Sequence, residues 1–313
     1  MKAEPRYRGR FSQIGIYLGK LFRMFIYQSD WKVLPMSAVI AGLVVFAVGN
    51  SIFKTQEGSI SGCFSVVCVC IWNGFFNSIQ SVCRERNIVK REHRAGMHIS
   101  SYIAAHMIYQ FLLCAAQTAI LLGVCSLAKV SFPKEGLITR WFMADLAISL
   151  FLITYAADMM SLAISCLVRN TTTAMTMMPF MLIFQLVFSG NMVQLQGNAQ
   201  LITDLTITKW GMRSVCTLGN YNDQPMVTLW NTVYKFRELE VMGRKPIELL
   251  TNEVMDQGWL DKFLKYSGEY NQRAEYLYTA GNIWECWGHL ILIIVLFACL
   301  AVALLELVDR DKR

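Results

Sequence analysis

Long apolar runs without charge alternate along this chain with short, charged segments. Val33 to Phe53 is the first such run, and Gly58 to Cys83 is the second. Ile99 to Ala128 follows, interrupted only by His106, and Trp141 to Val168 carries just Asp145 and Asp158. Thr173 to Leu195 and Cys286 to Leu305 complete the series. A helix needs roughly 20 mostly apolar residues to cross a hydrocarbon core. The pattern predicts an all-α membrane protein with six transmembrane helices.

Two further segments have helical periodicity without being spans. From Phe11 to Ile26, the residues Phe11, Ile14, Leu18, Leu21, Phe22 and Phe25 share one face, with Lys20 and Arg23 elsewhere. Such an N-terminal amphipathic helix lies in the headgroup plane. Between the last two spans, 196–283 forms a large external loop. Its helical part runs from Val227 to Met242, stops at Gly243 and Pro246, and resumes from Ile247 to about Tyr278. The Trp and Tyr residues there suit a membrane interface. The predicted division is 1–32 (N-terminus and amphipathic helix), 33–195 (spans one to five), 196–283 (external domain) and 284–313 (span six and tail).

Composition strengthens this picture. Charged residues make up 16% of the chain and hydrophobic ones 55%, whereas a soluble domain carries about 25% charged residues. The net charge of +7 comes from Lys and Arg beside the apolar runs. That placement suits membrane lipids and predicts no nucleic-acid partner. With the N-terminus inside, segments 1–32, 84–98, 169–172 and 306–313 hold 7, 5, 1 and 3 Lys/Arg, against 1 and 3 in the short outer segments 54–57 and 129–140. The bias places both termini in the cytoplasm. Nine of the ten Cys lie in or beside apolar runs and read as small hydrophobes. No metal site follows from Cys or His spacing. Cys216 alone lies in the external loop, as a free thiol or as a cross-link between two subunits. The four His are scattered, with no HxxxD or HExxH pattern. A membrane-embedded acyltransferase is therefore disfavoured, and a ligand sensor built on 196–283 is a further alternative. No cleavable signal peptide is apparent.

The densest charge falls in "CRERNIVKREHRAG", Cys83 to Gly96. On charge alone this is either a solvated loop that enforces topology or a docking surface for a partner. Its pattern Glu85-Arg86-x-Ile88-x-x-Arg91-Glu92-x-x-x-Gly96-Met97-x-x-Ser100-Ser101-Tyr102 resembles the first intracellular loop of G-subfamily-like ABC transporter permeases. "YQSDWKVLPMSAVIAGLVVFAVG" is similar to that family's connecting helix entering span one, and "TYAADMMSLAISCLVRNTTTAMTMMPF" to its hairpin of spans four and five. "VFSGNMVQL" followed by "TITKWGMRSV" resembles the segment and re-entrant turn after span five.

The resemblance implies a type-2 exporter fold. Segment 84–98 would be a cytoplasmic coupling helix, with Glu85, Arg86, Arg91 and Glu92 contacting an ABC ATP-binding subunit. No G-x-x-x-x-G-K-[ST] loop occurs in the chain, so ATP and Mg would sit on that partner and this chain is not itself an enzyme. A second permease copy, identical or not, would complete a substrate cavity lined by Asn73, Phe76, Asn77 and Gln80 of span two and Phe180, Ile183, Phe184 and Leu186 of span five. Simple helix packing is the competing account of these residues. Three amides on one face of a membrane helix need partners across helices or in a wet cavity. Asn191 and Met192 stand at the gate where the family often has two leucines, and His106 stands where it often has Lys. Asp158, the other intramembrane polar residue, is either a proton- or cation-sensitive element or an interhelical hydrogen-bonding group. The implied function is efflux of a hydrophobic or amphipathic compound from a bacterial inner membrane. A lipid or lipid-linked glycan flippase is the alternative.

Overall fold

The computed structural model describes residues 9–28, 30–49, 51–189, 200–240 and 245–310. They form helices α1 (Arg10–Tyr27), α2 (Val33–Val48), α3 (Gln56–Ser78), α4 (Ser81–Arg84), α5 (Arg86–Arg94), α6 (Ile99–Leu127), α7 (Phe142–Leu167) and α8 (Thr171–Val187). They continue with α9 (Gln200–Asp204), α10 (Ile207–Leu218), α11 (Thr228–Lys235), α12 (Pro246–Asp256), α13 (Leu260–Tyr270) and α14 (Ala280–Arg310).

Among the described residues, five stretches are long and apolar enough to cross a membrane: Asp30–Val48, Gln56–Arg84, Ile99–Leu127, Phe142–Leu167 and Ala280–Leu307. The expected span at 173–195 is represented by α8, whose 17 residues include Pro179. At 1.5 Å per residue such a helix is about 26 Å long, short of a ~30 Å core. The proposed gate, Asn191 and Met192, lies outside the described residues.

Helix α7 is the centre of the bundle, buried along most of its length between α3 and α14. Small residues line its seam with α3. A Cβ added at Gly74 would lie 2.8 Å from both the Ala157 Cβ and the Asp158 nitrogen. Ser161 Oγ donates to the Phe75 carbonyl at 2.8 Å, and Ser165 Oγ accepts from the Val82 and Cys83 amides at 3.1 and 3.2 Å. Lipid tails are as apolar as Leu, so helices in a bilayer associate by close backbone approach and by such bonds. On its other side α7 receives Trp287 of α14, whose indole N–H donates to Ser149 Oγ at 2.9 Å.

Helix α10 follows span five in sequence, yet it packs against α3, α7 and α14. Gln185 of α8 holds its start, accepting from the Ile207 amide at 2.8 Å. Cys216 is buried there, so it has no route to a thiol on a second subunit. The bundle end opposite α5 carries α11 to α13. Glu57 at the start of α3 accepts from the amides of Val227 (3.0 Å) and Thr228 (2.7 Å), where charge and N-terminal donors match. The helix expected from Ile247 to about Tyr278 breaks at Gly258. That residue has φ +65°, and the next helix ends at Tyr270.

Helix α1 packs along α6 with part of the expected apolar stripe: Leu21 is buried, and Phe22 and Phe25 meet Tyr109 of α6 edge-on. Phe11 of that stripe is 90% exposed, and Gln13, outside it, is buried by polar contacts to the segment between α3 and α6.

Candidate functional site

Helix α5 is the segment predicted to act as a coupling helix, and its two faces are sharply divided. Arg86 and Val89 are buried, whereas Asn87, Ile88, Arg91 and Arg94 are exposed. The spacing is that of one helical stripe inward and one outward. After the helix, Gly96 takes φ 102° and Met97 donates back to the Glu92 carbonyl at 3.0 Å. Glycine tolerates that conformation where a side chain does not.

The α5 segment is fastened to α1 by four polar contacts from three side chains. Gln13 is bonded twice: its amide donates to the Gly96 carbonyl at 3.2 Å, and its oxygen accepts from the His98 amide at 2.9 Å. Tyr17 donates to the Glu92 carboxylate at 3.0 Å. Burial, reinforced by that carboxylate, pushes the phenol above its ordinary pKa, so it stays a donor at physiological pH. Lys20 forms an ion pair with Glu85 at 2.8 Å.

Arg86 turns to α7 instead. Its guanidinium donates to the Cys166 carbonyl at 3.3 Å and to that of Val168. These carbonyls sit at the C-terminal end of α7, where a cation is favoured by the helix dipole and by unpaired oxygens. The structure therefore places Glu85 and Arg86 inside the chain. Glu92 is half-buried and Arg91 alone of the four predicted contacts is fully presented outward. Gln13, Tyr17 and Lys20 did not stand out in the sequence, because their partners lie 65 or more positions away in the chain.

The predicted cavity residues fall into separate places. Asn73 donates to Ser37 of α2 at 2.9 Å. Asn77 and Gln117 of α6 exchange two amide bonds, at 2.8 and 2.9 Å. These two amides thus find partners across helices of the same chain. Phe76, Asn77 and Gln80 line a cavity of about 130 Å³ between α1, α3 and α6, with His106 and Gln110 also in its wall. The span-five residues do not reach it. Phe180 and Ile183 are 68% and 56% exposed on α8, while Phe184 and Leu186 are half-buried. Asp158 is buried on α7 and accepts from Ser78 Oγ at 2.5 Å, an interhelical hydrogen bond. His106 is also buried and packs edge-on against Tyr102, 4.6 Å between ring centres.

This arrangement is a helical membrane bundle with a charged, amphipathic element clamped across one end. The sequence profile of the ABC-2 type transporter family matches residues 18–217, which takes in α5, α6, α7, α8 and α10. The chain belongs to the ABC-2 type transporter family. It is a permease, the membrane component of an ABC transporter, and an integral membrane protein. A more distant similarity links it to the ABC transporter ATP-binding/permease protein Rv1747 of Mycobacterium tuberculosis, 25% identical over 144 residues. That match covers 45% of this chain and only 16% of the relative, so this permease corresponds to a small part of that protein. No metal-ligating cluster of His, Cys, Asp and Glu occurs among the described residues.

Proposed function

We propose that this permease works as half of an ABC exporter. An ATP-binding subunit docks on the outward face of α5, and a hydrophobic or amphipathic compound moves through a cavity between two permease copies. The observation that carries this reading is the division of α5. One face is bonded to α1 and α7, and the other exposes Arg91, Arg94 and Ile88 with no polar partner among the described residues. A displacement of α5 then moves α1 and α7 with it. The cationic outward face suits a partner surface bearing carboxylates, and ATP and Mg belong to that partner. On this reading α5 and both termini are cytoplasmic.

The exposed apolar face of α8, with Phe180 and Ile183, is the natural contribution to a shared cavity. Asn73, Asn77 and Gln80 then shape α3 from behind. The reading is tested by co-purification. The wild-type complex should bring down an ATP-hydrolysing protein whose activity rises with amphipathic compounds. Arg91→Glu together with Arg94→Glu should abolish that association without lowering thermal stability, since both side chains are exposed. Retention of the ATPase by this double variant would refute docking at α5.

A further inference from the structure

Two of the free cysteines meet where α10 crosses α3. Cys63 of α3 and Cys216 of α10 are both buried, and their thiols share a hydrogen bond. The two helices run antiparallel at this crossing. On one side of the pair, a Cβ added at Gly211 of α10 would lie 3.2 Å from Val67 Cγ1 of α3. On the other side, Gln224 accepts from Ser59 Oγ of α3 and donates to the Gly219 carbonyl at 2.7 Å. Cys63 therefore lies about one helical turn from each of two fixed contacts. Gly211 has no side chain to hold the helices apart, so the backbones come close. A bond between two cysteine sulfurs requires such an approach.

Thiols elsewhere in the bundle are engaged with oxygen or nitrogen. Cys83 Sγ donates to the Ile79 and Gln80 carbonyls at 3.7 and 3.6 Å, and Cys114 Sγ accepts from the Asn77 amide at 3.6 Å. A single buried Cys serves as a small hydrophobe, but two thiols in contact carry redox chemistry as well. The pair lies two turns into α3 from the end that holds α11 to α13, opposite α5. On the proposed topology that end faces away from the cytoplasm, where disulfides persist. The thiol contact itself does not depend on that topology. Its neighbours Gly62, Val66 and Val215 line an apolar cavity, so a reagent that reaches the pair must be uncharged.

We propose that Cys63 and Cys216 are a redox-closable pair, which an uncharged organic disulfide converts to a cystine that staples α10 to α3. The step is two successive exchanges. One cysteine thiolate attacks the oxidant's S–S bond, forming a mixed disulfide and releasing one thiol. The second cysteine attacks the cysteine sulfur of that mixed disulfide and releases the other thiol. The new S–S bond replaces the oxidant's, the two cysteines lose two electrons to it, and their protons leave on the two released thiols. The closed pair joins segments far apart in the chain, and a cross-link over so long a loop restrains the unfolded state most.

The test treats the purified, reduced full chain in detergent with 2,2′-dipyridyl disulfide, then digests it without reductant and maps the peptides by mass spectrometry. The peptides carrying Cys63 and Cys216 should be recovered joined, about 2 Da lighter than their sum because two hydrogens are lost, and a dithiol reductant should separate them. The melting temperature of the oxidised protein should rise by about 5 °C. Cys63→Ser and Cys216→Ser should each abolish both the joined peptide and the rise. Recovery of the two wild-type peptides unjoined, as free thiols or as separate pyridyl adducts, overturns the assignment, as does joining of either cysteine to a different one. The wild-type peptide map decides the matter even if a variant fails to fold. Failure here leaves docking of the ATPase at α5 untouched, and the converse also holds.

Discussion

At the level of single residues, the bundle depends on where side chains are missing and where they are paired. Gly74 lets α3 meet α7 with backbone contact, and a side chain there has nowhere to go. Gly74→Val should therefore lower stability by about 1–3 kcal/mol, seen as a reduced melting temperature of the detergent-solubilised protein. Asp158 illustrates the other case. An intramembrane carboxylate suggests function by default, but its bond to Ser78 gives it a structural partner at an α3–α7 crossing. Asn preserves an acceptor at that position. Asp158→Asn should keep both the fold and transport activity, and a loss of transport with the fold intact would restore a role in proton or cation recognition. Cys216 was legible as the odd cysteine out, but its environment was not. Buried on α10, it should resist a polar thiol reagent in the native protein and react only after unfolding.

At the level of elements, α1 and α5 form one unit. Residues 75 or more positions apart meet there: Tyr17 with Glu92, and Gln13 with Gly96 and His98. The combined substitution Gln13→Leu and Tyr17→Phe removes these bonds and leaves the apolar contacts. Amide hydrogen exchange in α1 should then accelerate, while α7, bonded elsewhere, keeps its protection. The same clasp explains why Gln13, outside the apolar stripe of α1, is buried while Phe11, on the stripe, is exposed. Both a bilayer interface and a protein groove accept apolar residues, so an apolar stripe does not say which of them it faces. The polar residues of α1 decide it, because their partners lie on a segment that sequence spacing cannot bring near. In α12 and α13 the local signals of Pro246 and Gly243 were visible, but the break at Gly258 was hidden in a continuous amphipathic pattern.

At the level of the whole molecule, the exposed ring of Phe180 and the side chain of Ile183 on α8 stand on the proposed dimer face with apolar surface to cover. Phe180→Arg combined with Ile183→Arg should shift the protein from dimer to monomer in size-exclusion chromatography with light scattering, or prevent its assembly in the membrane. A dimer that survives both charges would place the subunit interface elsewhere. The charge-rich segment between α3 and α6, by contrast, sits at one end of the bundle, tied to α1 and to the C-terminal end of α7, where the proposed ATP-binding subunit would act.

The sequence by itself determined that this is a helical membrane protein and where most of its spans run. Uninterrupted apolar length and the segregation of charge are local properties, and a bilayer selects for both. Motif order along the chain was likewise enough to point to an ABC permease, which the family match established. The tertiary structure alone decided which faces meet. It turned Glu85 and Arg86 inward, gave Asn73 and Asn77 partners on neighbouring helices, and grouped His106 and Gln110 around a cavity. The physical reason is that a helix apolar on all sides has no preferred rotation until another helix supplies a close backbone approach or a hydrogen bond, and those partners lie far away in the chain.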